Sequence, residues 1–134
     1  MSNATKILIA DDHPIFRKGL VDVIAPDGRF VIAGEAADGE TALELTLKLR
    51  PRIALLDIDM PKLNGLEVLR QIRSNDEIRA IPVTILSNSM NTAEALEAYR
   101  LGANSFVRKP AGYKEIREFV QVYSKYWLEY STLV

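Results

Sequence analysis

The chain has 134 residues, 48% of them hydrophobic and 26% charged, and neither a membrane-length apolar run nor a secretory signal, which predicts one cytoplasmic globular domain. Seventeen Lys and Arg residues balance 18 Asp and Glu, so the net charge of −1 argues against direct binding of this chain to nucleic acid. Cysteine is absent, which excludes disulfides and thiolate chemistry.

Short apolar runs alternate with segments of helical spacing along the whole chain. The runs predict strands at 7–10, 30–33, 53–56, 81–86 and 105–107. The segments between them predict helices at 15–24 (after Pro14), 41–49, 66–72, 92–99 and 116–127. The second strand has the weakest signal, because glycines stand close to both of its ends.

This alternation predicts an α/β fold with a parallel sheet and helices on both faces. The apolar runs are continuous rather than alternating, as is typical of strands covered on both sides. No repeat or linker-like segment interrupts the pattern, so we expect a single domain over 1–134.

Polar residues follow four of the predicted strands: Asp11-Asp12, Asp57, Ser87 and Lys109. Parallel strands bring their carboxyl ends to one edge of the sheet, which is where such folds bind ligands. Carboxylates 4 Å apart repel each other by about 4 kcal/mol at an effective dielectric constant near 20. The cluster therefore predicts a cation, and Mg²⁺ suits a site with few protein oxygen ligands.

A carboxylate beside such an ion can act as a nucleophile toward phosphorus. Phosphoryl transfer requires alignment and charge neutralisation, which a lysine and a hydroxyl also provide. We therefore interpret Asp57 as the nucleophile, with Ser87 supplying the hydroxyl group and Lys109 the positive charge. We expect His13, the single histidine, to be exposed and to lie outside the metal site.

Each of these pieces has a second interpretation when it is taken alone. The acid pair before Pro14 also suits a helix cap. Ser87 followed by Asn88 also suits a turn, and so does Lys109 followed by Pro110. The coincidence of all of them at the ends of successive strands favours a functional site.

Four segments resemble the receiver domains of two-component response regulators, in particular the chemotaxis-regulator-like ones: KILIADDHPIFRKGL, PRIALLDIDMPKLNGLEVL, IPVTILSNS and LGANSFVRKP. The resemblance implies a flavodoxin-like, doubly wound sheet with strand order 2-1-3-4-5. It also implies that Asp57 accepts the phosphoryl group, and that Asp11, Asp12, Asp57 and the backbone carbonyl of Asp59 bind Mg²⁺.

The same resemblance assigns the switch residues. Ser87 and Lys109 would contact the phosphoryl group, and Phe106 would turn inward when Ser87 moves. Lys109 would precede a cis Pro110. Two positions depart from the family's pattern: Asn88 replaces a small residue, and Asp59 adds an acid at the mouth of the pocket, so both are expected to modulate dephosphorylation.

The resemblance implies a signalling domain that catalyses only its own phosphorylation and dephosphorylation. The donor would be a sensor histidine kinase or a phosphotransfer protein. The partner, a downstream protein or a second copy, would bind the face formed by helix 4, strand 5 and helix 5.

Two other interpretations of the sequence remain open. The segment DDHPIFRKGL also resembles the receiver half of DNA-binding transcriptional regulators, although the aromatic-rich terminal helix favours a stand-alone protein. Asp57-Ile58-Asp59 with Leu86-Ser87-Asn88 also resembles haloacid-dehalogenase phosphatases. Those enzymes carry the Asp-x-Asp element on their first core strand, whereas here the acid pair comes first.

Overall fold

The computed structural model describes residues 4–89 and 91–133, in which five strands alternate with five α-helices. The strands are β1 (Thr5–Ala10), β2 (Phe30–Ala36), β3 (Ile53–Asp57), β4 (Val83–Ser87) and β5 (Ser105–Arg108). The helices are α1 (Pro14–Ile24), α2 (Gly39–Leu49), α3 (Gly65–Ser74), α4 (Thr92–Leu101) and α5 (Tyr113–Lys125).

All strands pair in parallel, in the order β2-β1-β3-β4-β5. This order confirms the fold expected from the sequence. One core lies between the sheet and helices α2, α3 and α4, where Leu56 and Leu69 are fully buried. A second core lies on the opposite face beneath α1 and α5, where Leu20 and Leu55 are fully buried. The central strands are therefore apolar on both sides.

The second and fourth strands differ from the predicted ones. β2 runs on to Ala36, because the register with β1 shifts between Ile7 and Leu8 and Gly34 pairs with Leu8 inside the strand. β4 begins at Val83 and not at residue 81, because Pro82 has no N–H to donate to the ladder. The carbonyl of Pro82 still accepts a hydrogen bond from the Ala54 N–H at 3.0 Å.

Helices α2, α3 and α4 begin with side-chain caps. Asp38, Asn64 and Asn91 each accept hydrogen bonds from backbone N–H groups in the first turn. Helix α1 begins differently, because its cap residue His13 makes no side-chain capping bond. The acid pair before it is therefore available for other contacts.

The last helix changes its winding near the end of the chain. Helix α5 ends at Lys125, and a π-helical turn continues over Tyr126–Tyr130. The ring of Trp127 in this turn packs into the core beneath α5 beside Tyr123. Among the described residues, no helix is both long and apolar enough to cross a membrane.

Candidate functional site

The polar residues singled out in the sequence meet at the carboxyl edge of the sheet. Asp11 directly follows β1, Asp57 and Ser87 end β3 and β4, and Lys109 directly follows β5. The Lys109 N–H donates to the Ser87 carbonyl at 2.8 Å, which extends the β4–β5 pairing into the site. The order of the strands thus brings residues from four segments into one pocket.

Three carboxylates line this pocket at different depths. Asp11 and Asp57 are buried, with side chains 0% and 1% exposed, whereas Asp12 is 33% exposed. Oδ2 of Asp57 has no hydrogen-bond partner although it is buried. A buried carboxylate oxygen without a donor is energetically unfavourable, so the pocket is suited to a ligand that supplies positive charge.

This arrangement disfavours the ionised form of the Asp57 carboxyl. Burial and, after it, the negative charge of Asp11 raise the pKa of its carboxyl from 3.8 to about 7. The ammonium group of Lys109 opposes both effects by lowering the pKa. Asp57 is thus a carboxyl whose charge depends on the cations around it.

Lys109 is the principal cation of the pocket, and its side chain is only 5% exposed. Its Nζ lies 2.8 Å from Asp11 Oδ2 and 3.3 Å from Asp57 Oδ1. Nζ also lies 4.9 Å from the centre of the Phe16 ring on α1, a cation–π contact. These contacts hold the ammonium group between the two buried acids.

The backbone conformation before Pro110 differs from the expected one. No cis peptide bond occurs in the described part of the chain, so the Lys109–Pro110 bond is trans and the expectation of a cis proline is wrong. Trans is the isomer that X–Pro bonds favour by about 0.5–1 kcal/mol when no contact imposes the other.

His13 is half exposed, as expected, but its ring reaches into the pocket instead of pointing away from it. Nδ1 lies 3.0 Å from Asp11 Oδ1, 3.1 Å from Asp12 Oδ1 and 3.6 Å from Asp57 Oδ2. The Lys109 Nζ approaches the same nitrogen at 3.0 Å. Excluding His13 from the site on sequence grounds therefore missed a member of the cluster.

The donor set of this cluster fits a divalent metal ion. One ligand atom from each of Asp11, Asp12, His13 and Asp57 lies within 4.8 Å of all the others. Carboxylate oxygens are the ligands that Mg²⁺ prefers, and a divalent ion neutralises their mutual repulsion. The pocket can thus hold the cation that the sequence predicts.

The loop after β3 is held tightly against the pocket. The Gly65 N–H donates to the Ile58 carbonyl at 2.9 Å, and a Cβ at Gly65 would lie 2.4 Å from the Asp57 carbonyl oxygen. The Asp59 N–H points at Asp57 Oδ1 at 3.4 Å, and Asp59 itself is exposed. This loop therefore fixes the backbone on which Asp57 stands.

The expected switch residues lie on the β4 and β5 side of the pocket. Ser87 is buried, and its hydroxyl oxygen accepts a hydrogen bond from the Ser89 N–H at 3.1 Å. Phe106 is partly buried against the core beneath α4, and its N–H donates to the Tyr99 hydroxyl at 3.1 Å. Asn88 is exposed beside the pocket.

One residue that supports the acidic turn was not found from the sequence. The guanidinium of Arg17, one turn into α1, donates to the backbone carbonyl of Asp11. It also pairs with Glu35 on β2 at 3.2 Å. In the sequence Arg17 is one of two adjacent cationic residues on α1, so only the folded geometry reveals the contact.

Comparison with known families and proteins finds similarity over most of this chain. The family model for the response regulator receiver domain matches residues 7–121. A protein-glutamate methylesterase/protein-glutamine glutaminase of Syntrophomonas wolfei is 39% identical over 109 residues, 80% of this chain and 30% of that protein. The chain thus spans less than a third of the length of this curated relative.

Two solved structures are similar over nearly their whole length. The signal receiver domain of the response regulator NarL from Mycobacterium tuberculosis is 34% identical, with a TM-score of 0.79, over 91% of this chain and 97% of that one. The Mn²⁺-bound form of the response regulator Rcp1 is 27% identical, with a TM-score of 0.81, over 97% and 99% of the two chains.

Proposed function

The chain belongs to the response regulator receiver domain family, and on that basis we propose that Asp57 accepts a phosphoryl group from a phosphohistidine donor. The donor is a sensor histidine kinase or a phosphotransfer protein. The observation that carries the proposal is the buried Asp57 carboxylate, with one oxygen beside Lys109 and the other without a hydrogen-bond partner.

The transfer is a single displacement at phosphorus. A carboxylate oxygen of Asp57 forms the new O–P bond while the P–N bond to the donor imidazole breaks. The imidazole leaves with the electron pair and takes up a proton, and Asp57 becomes an acyl phosphate. Lys109, which lies 3.3 Å from Asp57 Oδ1, stabilises the negative charge on the incoming phosphoryl oxygens.

The carboxylates of Asp11, Asp12 and Asp57 would hold Mg²⁺, together with the backbone carbonyl of Asp59. When bound, the ion supplies positive charge that neutralises the acids and the phosphoryl oxygens. The response regulator Rcp1, whose structure is similar to this one, has a Mn²⁺-bound form, which supports the binding of a divalent ion. Asn88 and Asp59, both exposed at its mouth, would set how readily water reaches the acyl phosphate.

The phosphorylated state differs from the present one in the contacts of Ser87. Its hydroxyl would exchange the contact with the Ser89 N–H for a phosphoryl oxygen, which draws the end of β4 toward Asp57. Phe106, now only partly buried, would fill the space that this movement opens. Phosphorylation thus shifts an equilibrium between two packings of the β4–β5 side of the domain.

A partner protein would bind the face formed by α4, β5 and α5. β5 is one of the two edge strands of the sheet, and apolar side chains on the two helices are exposed beside it: Leu96 and Tyr99 on α4 and Val122 on α5. Exposed apolar groups around an edge strand suit a protein partner. A downstream protein or a second copy of the chain would bind there.

The proposal is tested by incubating the protein with radiolabelled acetyl phosphate and MgCl₂. We expect about one phosphate per chain, no label in Asp57→Ala, and no label when a chelator removes the ion. Asp76→Ala, at an acid that is 95% exposed between α3 and β4, is the control and should keep the label. Full labelling of Asp57→Ala, or steady release of phosphate from a monoester beyond one equivalent, would show that the assignment is wrong.

A further inference from the structure

His13 is the only histidine of the chain, and its ring stands where a divalent ion would have its ligands. Two adjacent ligands of an octahedral ion, each about 2.1 Å from it, lie about 3.0 Å apart. His13 Nδ1 lies 3.0 Å from Asp11 Oδ1 and 3.1 Å from Asp12 Oδ1. The imidazole nitrogen therefore already has the spacing of a ligand adjacent to both carboxylates.

A second observation points to the same space. Asp57 Oδ2 is buried without a hydrogen-bond partner and lies 3.6 Å from His13 Nδ1. A cation between these two atoms would give the orphaned oxygen the positive partner that it lacks. Lys109 Nζ also lies 3.0 Å from Nδ1, so this nitrogen stands among the charged groups of the pocket.

We infer that His13 Nδ1 is a direct ligand of the divalent ion in this pocket, and that it shifts the metal preference of the site toward first-row transition ions. The inference rests on the proposed metal site and extends it. Mg²⁺ favours oxygen ligands, whereas imidazole nitrogen binds ions such as Co²⁺, Ni²⁺ and Zn²⁺ more strongly. A site of carboxylates plus one imidazole gains affinity for Co²⁺ and little for Mg²⁺.

Local structure supports ligation by this residue. His13 is the N-cap residue directly before α1, and its N–H donates to Asp11 Oδ1 at 2.8 Å, which fixes the backbone next to the pocket. Pro14 follows at the first position of the helix and restricts the chain further. The side chain is half exposed, so ions reach it from solvent.

The inference is tested by titrating the untagged protein and His13→Ala with CoCl₂ and with MgCl₂ by calorimetry. Both titrations are made in the same buffer and at the same pH. Loss of an outer-shell partner of a metal ligand already lowers affinity by about tenfold or more, so loss of the ligand itself should lower Co²⁺ affinity at least that much. The Mg²⁺ affinity should change by no more than about twofold.

Paramagnetic NMR of the Co²⁺ complex gives an independent readout, because only one imidazole is present. Ligation predicts strongly shifted imidazole ring protons that are absent from His13→Ala. His13→Gln, which offers an oxygen, should retain Mg²⁺ binding and lose the preference for Co²⁺. Thermal unfolding of both variants without metal checks that the fold is kept.

Two results would overturn the inference. One is a saturated Co²⁺ complex whose imidazole signals are unshifted, and the other is an equal ratio of Co²⁺ to Mg²⁺ affinity in wild type and His13→Ala. If either occurs while acetyl phosphate still labels Asp57, His13 ligation fails and the proposed function stands. If Asp57 is not labelled either, both fail.

Discussion

Asp57 is buried beside Asp11, and this placement makes its ionisation unfavourable in the metal-free fold. Its pKa is raised to about 7, first by burial and then by the charge of Asp11. Between about pH 4 and pH 7 the folded chain therefore holds a proton on Asp57 that the unfolded chain has released. Unfolding releases this proton, so the contribution of Asp57 to stability falls as the pH rises through that range.

Asp57→Asn removes the group that titrates and keeps its shape. In metal-free buffer we expect the free energy of unfolding of Asp57→Asn, minus that of wild type, to increase from pH 4 to pH 7 and then to level off. The increase should exceed about 1 kcal/mol. Urea unfolding at a series of pH values measures the difference. Asp59→Asn, an exposed acid, is the control, and a difference for Asp57→Asn that stays constant with pH would contradict the expectation.

The site residues that the sequence could predict are those at the ends of strands. Asp11, Asp57 and Lys109 follow continuous apolar runs, so their shared position depends only on the parallel sheet. Whether the His13 ring enters the pocket depends on the rotation of its side chain, which the spacing of residues in the sequence does not determine. The contact of Arg17 with the Asp11 carbonyl depends on how α1 packs against the sheet edge, which is a tertiary property.

At the scale of elements, the close approach of α3 to the end of β3 determines the geometry around Asp57. Gly65 begins α3, and a Cβ there would lie 2.4 Å from the Asp57 carbonyl oxygen and 3.0 Å from its carbon. Backbone atoms cannot move away without displacing the loop that carries Asp59. The glycine is thus required by the packing of this loop.

Gly65→Ala should destabilise the fold by about 1–3 kcal/mol and slow labelling by acetyl phosphate. The physical reason is that the loop after β3 must shift and carry the Asp57 backbone with it. Denaturant unfolding and the initial labelling rate measure the two effects. Gly19→Ala on α1 is the matched control, because its Cβ would meet only the flexible end of Ile116 at 3.1 Å. Equal stability and labelling of the two variants would contradict this account.

The existence and order of the elements could be predicted well, and their ends less well. Continuous apolar runs and helical spacing indicated all five strands and helices. The extension of β2 through Gly34 was missed, because glycine is ambiguous in sequence and the register shift that accommodates it depends on β1. The change from α-helix to π-helical turn at Tyr126 has no distinct sequence signal.

At the scale of the whole molecule, the sheet separates two hydrophobic cores. Leu69 on α3 is fully buried in one core, and Leu20 on α1 is fully buried in the other. Since these residues share no cluster, their contributions to stability should be independent. This separation follows from the doubly wound topology.

Leu69→Ala and Leu20→Ala should each lower the free energy of unfolding by about 2–5 kcal/mol, because each leaves a cavity in a packed core. The double variant should equal the sum to within about 0.5 kcal/mol. Ile15→Ala, at a side chain that is 89% exposed, is the control and should change stability by less than about 0.5 kcal/mol. Strong non-additivity, measured by chemical denaturation, would contradict two independent cores.

The strand order 2-1-3-4-5 is also what turns separate sequence motifs into one site. It places β1 and β4 on either side of β3, so the acid pair and Ser87 flank Asp57. The sequence predicted this topology through the family resemblance, since alternation alone does not determine the order of the strands. The chemistry of the pocket follows from that order.

The central claim, that Asp57 is the phosphoacceptor, is tested most directly by locating the phosphoryl group. After labelling with acetyl phosphate and MgCl₂, borohydride reduces an aspartyl phosphate to homoserine, which tandem mass spectrometry of the peptides identifies. We predict homoserine at position 57 and unmodified aspartate at positions 11, 12 and 59. Homoserine at one of those three positions, with Asp57 unmodified, would contradict the account.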